Sequence, residues 1–250
     1  MDKHFIYHRL MDSMDYDMCP ICTLINKNID RFIDSLLYEN VNDYKIREDI
    51  KKSKGYCNFH AWRLQKAGDP LAHAIIYGEH IDSEIILIDR YIKSIDTIAF
   101  KAKKIITGKK DKIHVRKLKE GFFSKDKCPF CKIADECEKT YISAFYEYME
   151  HDNEFFDKFK QYGFLCNVHL VRLLDLPNSE GFIKEILEIQ LYNLKRLSKN
   201  LDEIKRKSDY RFSHESKPED EKIAWITAVR HWVGEQGMCL KQTEDENRKG

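Results

Sequence analysis

Cys19-Pro20-Ile21-Cys22, followed after 34 residues by Cys57-Asn58-Phe59-His60, recurs further along as Cys128-Pro129-Phe130-Cys131 and, again after 34 residues, Cys166-Asn167-Val168-His169. Each position of the second frame lies 109 residues beyond its counterpart in the first. The likeness extends to Arg63-Leu64 and Arg172-Leu173, and at a slightly shorter offset to Ile95-Asp96-Thr97-Ile98 and Leu201-Asp202-Glu203-Ile204. Such self-similarity says that one supersecondary unit was copied and that the copies pack together.

Working outward from the cysteines, the apolar residues fall at helical spacing. Leu24, Ile25, Ile29, Phe32, Ile33, Leu36 and Leu37 recur every three or four residues in the first copy, and Ile133, Ala134, Tyr141, Ile142, Phe145 and Tyr148 in the second. Proline directly after the first cysteine suits a helix start, where its missing N–H is no loss. A second, shorter helix is predicted over 44–52 and over 153–161, ended by Gly55 and Gly163. After His60 a short helix stops near Gly68-Asp69-Pro70. A long amphipathic helix is then expected over 70–104, matched by another over 179–207.

Past the second copy, Ser216-Lys217-Pro218-Glu219 fits a capping box, and Ile223, Trp225, Ala228, Val229 and Trp232 belong to a final helix. No stretch reads as a sheet, so the expected fold is all-α. Its expected parts are a first zinc-stapled module (1–106), a basic connection (107–127), a second module (128–207), and a C-terminal helix with a frayed tail (208–250).

Eight cysteines in 250 residues suit metal ligands or catalytic thiols better than structural disulfides if the compartment is reducing. The N-terminus carries no apolar leader run, and Ile85-Ile86-Leu87-Ile88 is too short to span a bilayer, so no membrane association and a cytoplasmic location are expected. The net charge of +1 favours no class of charged partner.

Structural Zn²⁺ takes four tetrahedral N/S ligands, commonly Cys₃His. CPxC can offer two thiolates and CNxH a third with an imidazole. A helical hairpin across each 34-residue excursion would close one site per copy: Cys19, Cys22, Cys57 and His60 in the first, Cys128, Cys131, Cys166 and His169 in the second. Two structural zinc ions per chain are therefore expected. CPxC on its own also fits a redox dithiol acidified at a helix start, and an iron–sulfur cluster is a further alternative, although it usually uses four cysteines. Haem attachment needs CxxCH, which is absent. Cys137 and Cys239 stand outside the repeat and read as small buried hydrophobes.

Two further clusters carry chemistry. Residues 101–127 hold 11 Lys/Arg against 3 Asp/Glu, with Phe122 and Phe123 nearby, a composition that could serve nucleic acid but also an ordinary solvated linker. Arg211, His214, Glu215 and Trp225 could converge as a small-ligand or acid/base site, or simply lie along a solvated loop and a capped helix. No nucleotide-binding, zinc-protease or serine-hydrolase motif is present.

The doubled CPxC…CNxH frame, followed by Tyr210-Arg211-Phe212, by Lys217 through Trp225 and by Ala228 through Gly234, resembles a family of uncharacterised bacterial and archaeal proteins with a domain of unknown function. The resemblance covers about Cys19 to Gly234. It implies metal binding by the eight repeated Cys and His residues and supplies no activity. The reading that best joins these observations is a zinc-binding helical scaffold with a protein partner.

Overall fold

The computed structural model describes residues 3–15, 18–96, 112–177 and 179–237. Among these there are helices and turns and no strand. In chain order they are α1 (Lys3–Ser13), α2 (Pro20–Ser35, prolonged by a π-turn at Leu36–Asn40), α3 (Tyr44–Lys52), α4 (Asn58–Ala67), α5 (Pro70–Asp96) and α6 (Lys112–Phe122). There follow α7 (Pro129–His151), α8 (Asn153–Tyr162), α9 (Asn167–Leu174), α10 (Glu180–Lys207) and α11 (Glu219–Val233). The all-α expectation holds. Two of the helices were not foreseen: α1, which precedes the first repeated frame, and α6, which lies in the stretch read as a connection. The predicted end of the first long helix, Cys239 and the tail lie outside the described residues.

Local chemistry starts the helices as the sequence requires. Asp43 and Asp152, at equivalent places in the two copies, cap α3 and α8 by accepting from the backbone N–H of Ile46 and Phe155. Ser179 does the same for Phe182 at the start of α10. Gly163 is the C-cap of α8, where only glycine fits because a Cβ would overlap the Phe159 ring and carbonyl. After α3 the chain turns instead through Lys54 and Gly55, both at positive φ.

The chain forms two compact units that are not the two sequence copies: residues 1–28 with 134–250, and residues 29–133. The first unit has its core around Leu10, Met14, Ile21, Leu24 and Ile25, with Tyr141, Phe145, Phe155 and Phe159 from α7 and α8, all essentially fully buried. Phe145 meets Phe155 and Phe159 edge-on at 5.6 and 5.0 Å. Helix α11 packs along α10, and a buried ion pair between Lys207 Nζ and Glu221 Oε2 (2.6 Å) ties them together. The second unit buries Ile33, Leu36, Ile50, Leu64, Ala72 and Ile76, with Phe130 stacked on Tyr56 at 4.7 Å. Here α6 closes on α5 at Gly121, where a Cβ would come within 2.6 Å of Leu87.

Candidate metal centres

All four repeated motifs sit at helix N-termini. Cys19 and Cys128 precede α2 and α7, and their carbonyls accept from the N–H of Thr23 and Lys132. Cys57 and Cys166 are the N-caps of α4 and α9, accepting from Ala61 and Leu170. The second ligand of each motif is the third residue of its helix, so each pair of ligands shares one first turn. That turn also presents unpaired N–H groups and the positive end of the helix dipole, which favour thiolates.

The motifs meet in a different combination from the one expected. Cys19, Cys22, Cys166 and His169 form one cluster, within the first unit, and Cys57, His60, Cys128 and Cys131 form the other, within the second. The expectation of one closed frame per copy is therefore corrected: each CPxC is completed by the CNxH of the other copy. Helix lengths give the reason. At about 1.5 Å per residue, the 16 residues of α2 are about 24 Å long and the 9 residues of α3 about 14 Å. In the second copy the 23 residues of α7 are about 35 Å long and the 10 of α8 about 15 Å. Helices so unequal do not make the closed hairpin that one site per copy would need.

Within each cluster the four ligand atoms lie within 4.8 Å of one another. In the first, Nδ1 of His169 is 3.3 Å from the sulfurs of Cys19, Cys22 and Cys166, and the Cys22 and Cys166 sulfurs are 3.7 Å apart. In the second, Nδ1 of His60 is 3.3, 3.4 and 3.7 Å from Cys57, Cys131 and Cys128, with Cys57 and Cys131 at 3.7 Å. A tetrahedral ion with bonds of about 2.3 Å to sulfur and about 2.0 Å to nitrogen needs S···S edges of about 3.8 Å and S···N edges of about 3.5 Å. Donor set and spacing thus fit a four-coordinate metal ion, and both clusters could hold one.

The thiols are already polarised by one another. Burial alone would raise Cys19, yet hydrogen bonds from Cys166 and Cys22 and the charge of His169 hold it well below the ordinary thiol value. Hydrogen bonding to Cys166 and Cys19, together with burial, pushes Cys22 well above it. Burial opposes a charged His169, but the Cys19 thiolate and contacts with Cys166 and Glu138 raise it well above its usual value. In the second cluster the hydrogen bond from Cys131 leads in lowering Cys128 to about 3, and Cys131 moves up in consequence. Each cluster is thus a proton-sharing set, and a metal ion would take the place of those protons.

The surroundings of the two clusters differ. His169 is fully buried, and its Nε2 lies 3.4 Å from Oε1 of Glu138, which is also 3.5 Å from Nε of Arg172. A carboxylate beside the far nitrogen would leave Nδ1 to a metal ion and raise its basicity. The residue at the equivalent place in the first copy is the apolar Ile29. The equivalent arginine, Arg63, turns to Asp30 at 2.6 Å. The first cluster is buried throughout, whereas Cys57 of the second is half-buried.

Behind the first cluster, Gln190 of α10 holds both backbone groups of Leu165. Its Nε2 donates to the carbonyl at 2.6 Å and its Oε1 accepts from the N–H at 3.3 Å. Nδ1 of His231, in α11, lies 3.2 Å from the same carbonyl. These residues set the strand of chain that delivers Cys166. Sequence reasoning missed Glu138 and Gln190, although a lone glutamine beside Ile186 and Ile189 on an apolar stripe was a visible sign.

The other expected site residues are placed apart from these centres. Arg211 pairs with Asp209 at 2.7 Å, Glu215 pairs with Arg206, His214 is exposed, and Trp225 is 60% exposed on α11. None of the four lines the cleft between α3, α5 and α6 or the pocket between α8, α10 and α11. Cys137 is half-buried, with its sulfur 3.3 Å from Asn28 Nδ2. No helix among the described residues is long and apolar enough to cross a membrane.

Fold and clusters together define a helical protein with two Cys₃His groups able to bind metal. The chain belongs to the family of unknown function DUF6062, whose model matches residues 1–222. It is 31% identical over 227 residues to an uncharacterized 23.9 kDa protein in the xynA 3′ region of Caldicellulosiruptor sp. (strain Rt8B.4), an alignment covering 91% of this chain and all of that one. No solved structure matches the chain.

Proposed function

We propose that the chain is a scaffold or interaction protein held in shape by two structural zinc ions, one in each Cys₃His cluster. The observation that carries this reading is that each cluster offers four converging N/S donors, which leaves no coordination position for a substrate. A Cys₃His set suits Zn²⁺ in both softness and geometry. Thiolates kept for a metal need a reducing compartment, which supports the cytoplasm. Each ion would join the first turns of two helices far apart in sequence, so its binding energy becomes folding energy.

A protein partner is the reading favoured by the outer face of α11. Trp225, Val229 and Trp232, at helical spacing, are 60, 57 and 71% exposed. Exposed tryptophans in one stripe are unusual on a face that meets only water, and tryptophan is prominent among interface hot spots. The test has two arms. Elemental analysis should give about two zinc per chain, and a strong chelator should unfold the protein as followed by circular dichroism. A metal-free but fully folded chain would overturn the scaffold reading. For the partner, cross-linking in source cells should capture a defined protein with the wild type and lose it with Trp225→Ala/Trp232→Ala. A wild-type chain that stays a solitary monomer would overturn this arm.

A further inference from the structure

The second unit contains a cleft of about 290 Å³, formed by α3 and the turn after it, by α5 and by the end of α6. Its lining is sorted by chemistry. Lys51, Lys54 and Arg90 bring three positive charges against the single carboxylate of Glu84. The charged heads of those three residues have no ion-pair partner among the described residues, although carboxylates nearby are engaged elsewhere, as Glu79 is by Arg47. Nε2 of His80 is buried in the same wall and has no hydrogen-bond partner among the described residues. Leu87, Ile86 and Phe122 supply an apolar side, and the close approach at Gly121 sets how near α6 lies to α5.

From this arrangement we propose that the cleft binds a small phosphate monoester. Three cations suit the oxygens of a dianion, for which charge-assisted hydrogen bonds are the strong ones. The apolar side suits the organic group of the ester, and the volume lies at the lower end of small-ligand pockets, too small for a folded partner. The end of α6 that closes the cleft belongs to the most basic stretch of the sequence, 101–127. The site does not involve the metal clusters and stands apart from the scaffold reading.

The metal-loaded chain of 250 residues is titrated calorimetrically with phenyl phosphate, inorganic phosphate and phenol. Phenyl phosphate should bind once per chain, about tenfold tighter than inorganic phosphate, because only the ester uses the apolar side. Phenol should not bind measurably. Lys54→Gln/Arg90→Gln should weaken phenyl phosphate by at least about tenfold, with metal content and circular dichroism unchanged. Glu84→Gln, which removes the opposing carboxylate, should tighten it severalfold, an effect that misfolding could not produce. The proposal is overturned by absence of saturable binding at millimolar ligand, or by affinities that neither variant shifts. Steeply salt-dependent binding of single-stranded RNA that phenyl phosphate fails to displace would also overturn it, assigning the cations to nucleic acid.

Discussion

The exchange of motifs between copies can be tested by double substitution. In the structure Cys22 and Cys166 are neighbours in one cluster, at 3.7 Å, while Cys57 belongs to the other. Cys22→Ala/Cys166→Ala should therefore empty one site and spare the second. Cys22→Ala/Cys57→Ala should damage both. Sharing about 10–16 kcal/mol of structural zinc binding over four ligands gives about 2.5–4 kcal/mol per ligand, or about 10²–10³ in affinity for each one lost. After dialysis against a chelator chosen to spare intact sites but strip three-ligand ones, the first variant should retain about one metal per chain and the second almost none. Co²⁺ substitution provides an independent reading, because tetrahedral thiolate sites are strongly coloured. If Cys22→Ala/Cys57→Ala kept one intact Cys₃His spectrum while Cys22→Ala/Cys166→Ala lost both, the clusters would follow the copies and the packing described above would be wrong.

Glu138→Gln should lower metal affinity about 10–100-fold at the cluster of His169 and leave that of His60 unchanged, measured by competition with a chromogenic chelator; equal losses at both would remove the carboxylate's positioning role. Lys207→Met leaves Glu221 buried without its cation and should cost about 3–5 kcal/mol in urea unfolding of the metal-loaded protein, against about 1 kcal/mol or less for the exposed Lys205→Met. A difference within error between the two would sink the argument that this pair holds α11 to α10. Burial lowers His231, a depression that its hydrogen bond to the Leu165 carbonyl and the Cys19 charge only partly offset. A base with a depressed folded value gives stability that is complete above the unfolded value near 6.5 and is lost as pH falls toward the folded one. His231→Gln should flatten that part of the stability–pH curve, and a slope identical to wild type would refute the assignment.

Much of this could be read without coordinates, and the parts that could not are of a particular kind. Helix starts at Pro20 and Pro129, the caps at Asp43, Asp152 and Ser179, and the apolar stripes of α2, α7 and α10 follow from local rules, because each depends on residues within a turn or two. The same holds for the ligands themselves, since CPxC and CNxH each bring two donors into one first turn. Helix α6 was hidden because a lysine-rich stretch reads as a solvated linker. Arg211, His214, Glu215 and Trp225 lie close along the chain, but side chains adjacent in sequence find nearer ion partners or turn outward, as Asp209, Arg206 and the exposed face of α11 illustrate.

The sequence by itself determined the helices of the two repeated frames and the C-terminal helix, the eight candidate donor residues and their grouping into four two-donor turns. Which turn meets which was decided only in three dimensions. Spacing along a chain records how many residues separate two motifs and not in which direction the helices between them run. Unequal helices, 16 residues against 9 and 23 against 10, do not make the even hairpin that would return a CNxH to its own CPxC, and each CNxH meets the CPxC of the other copy instead.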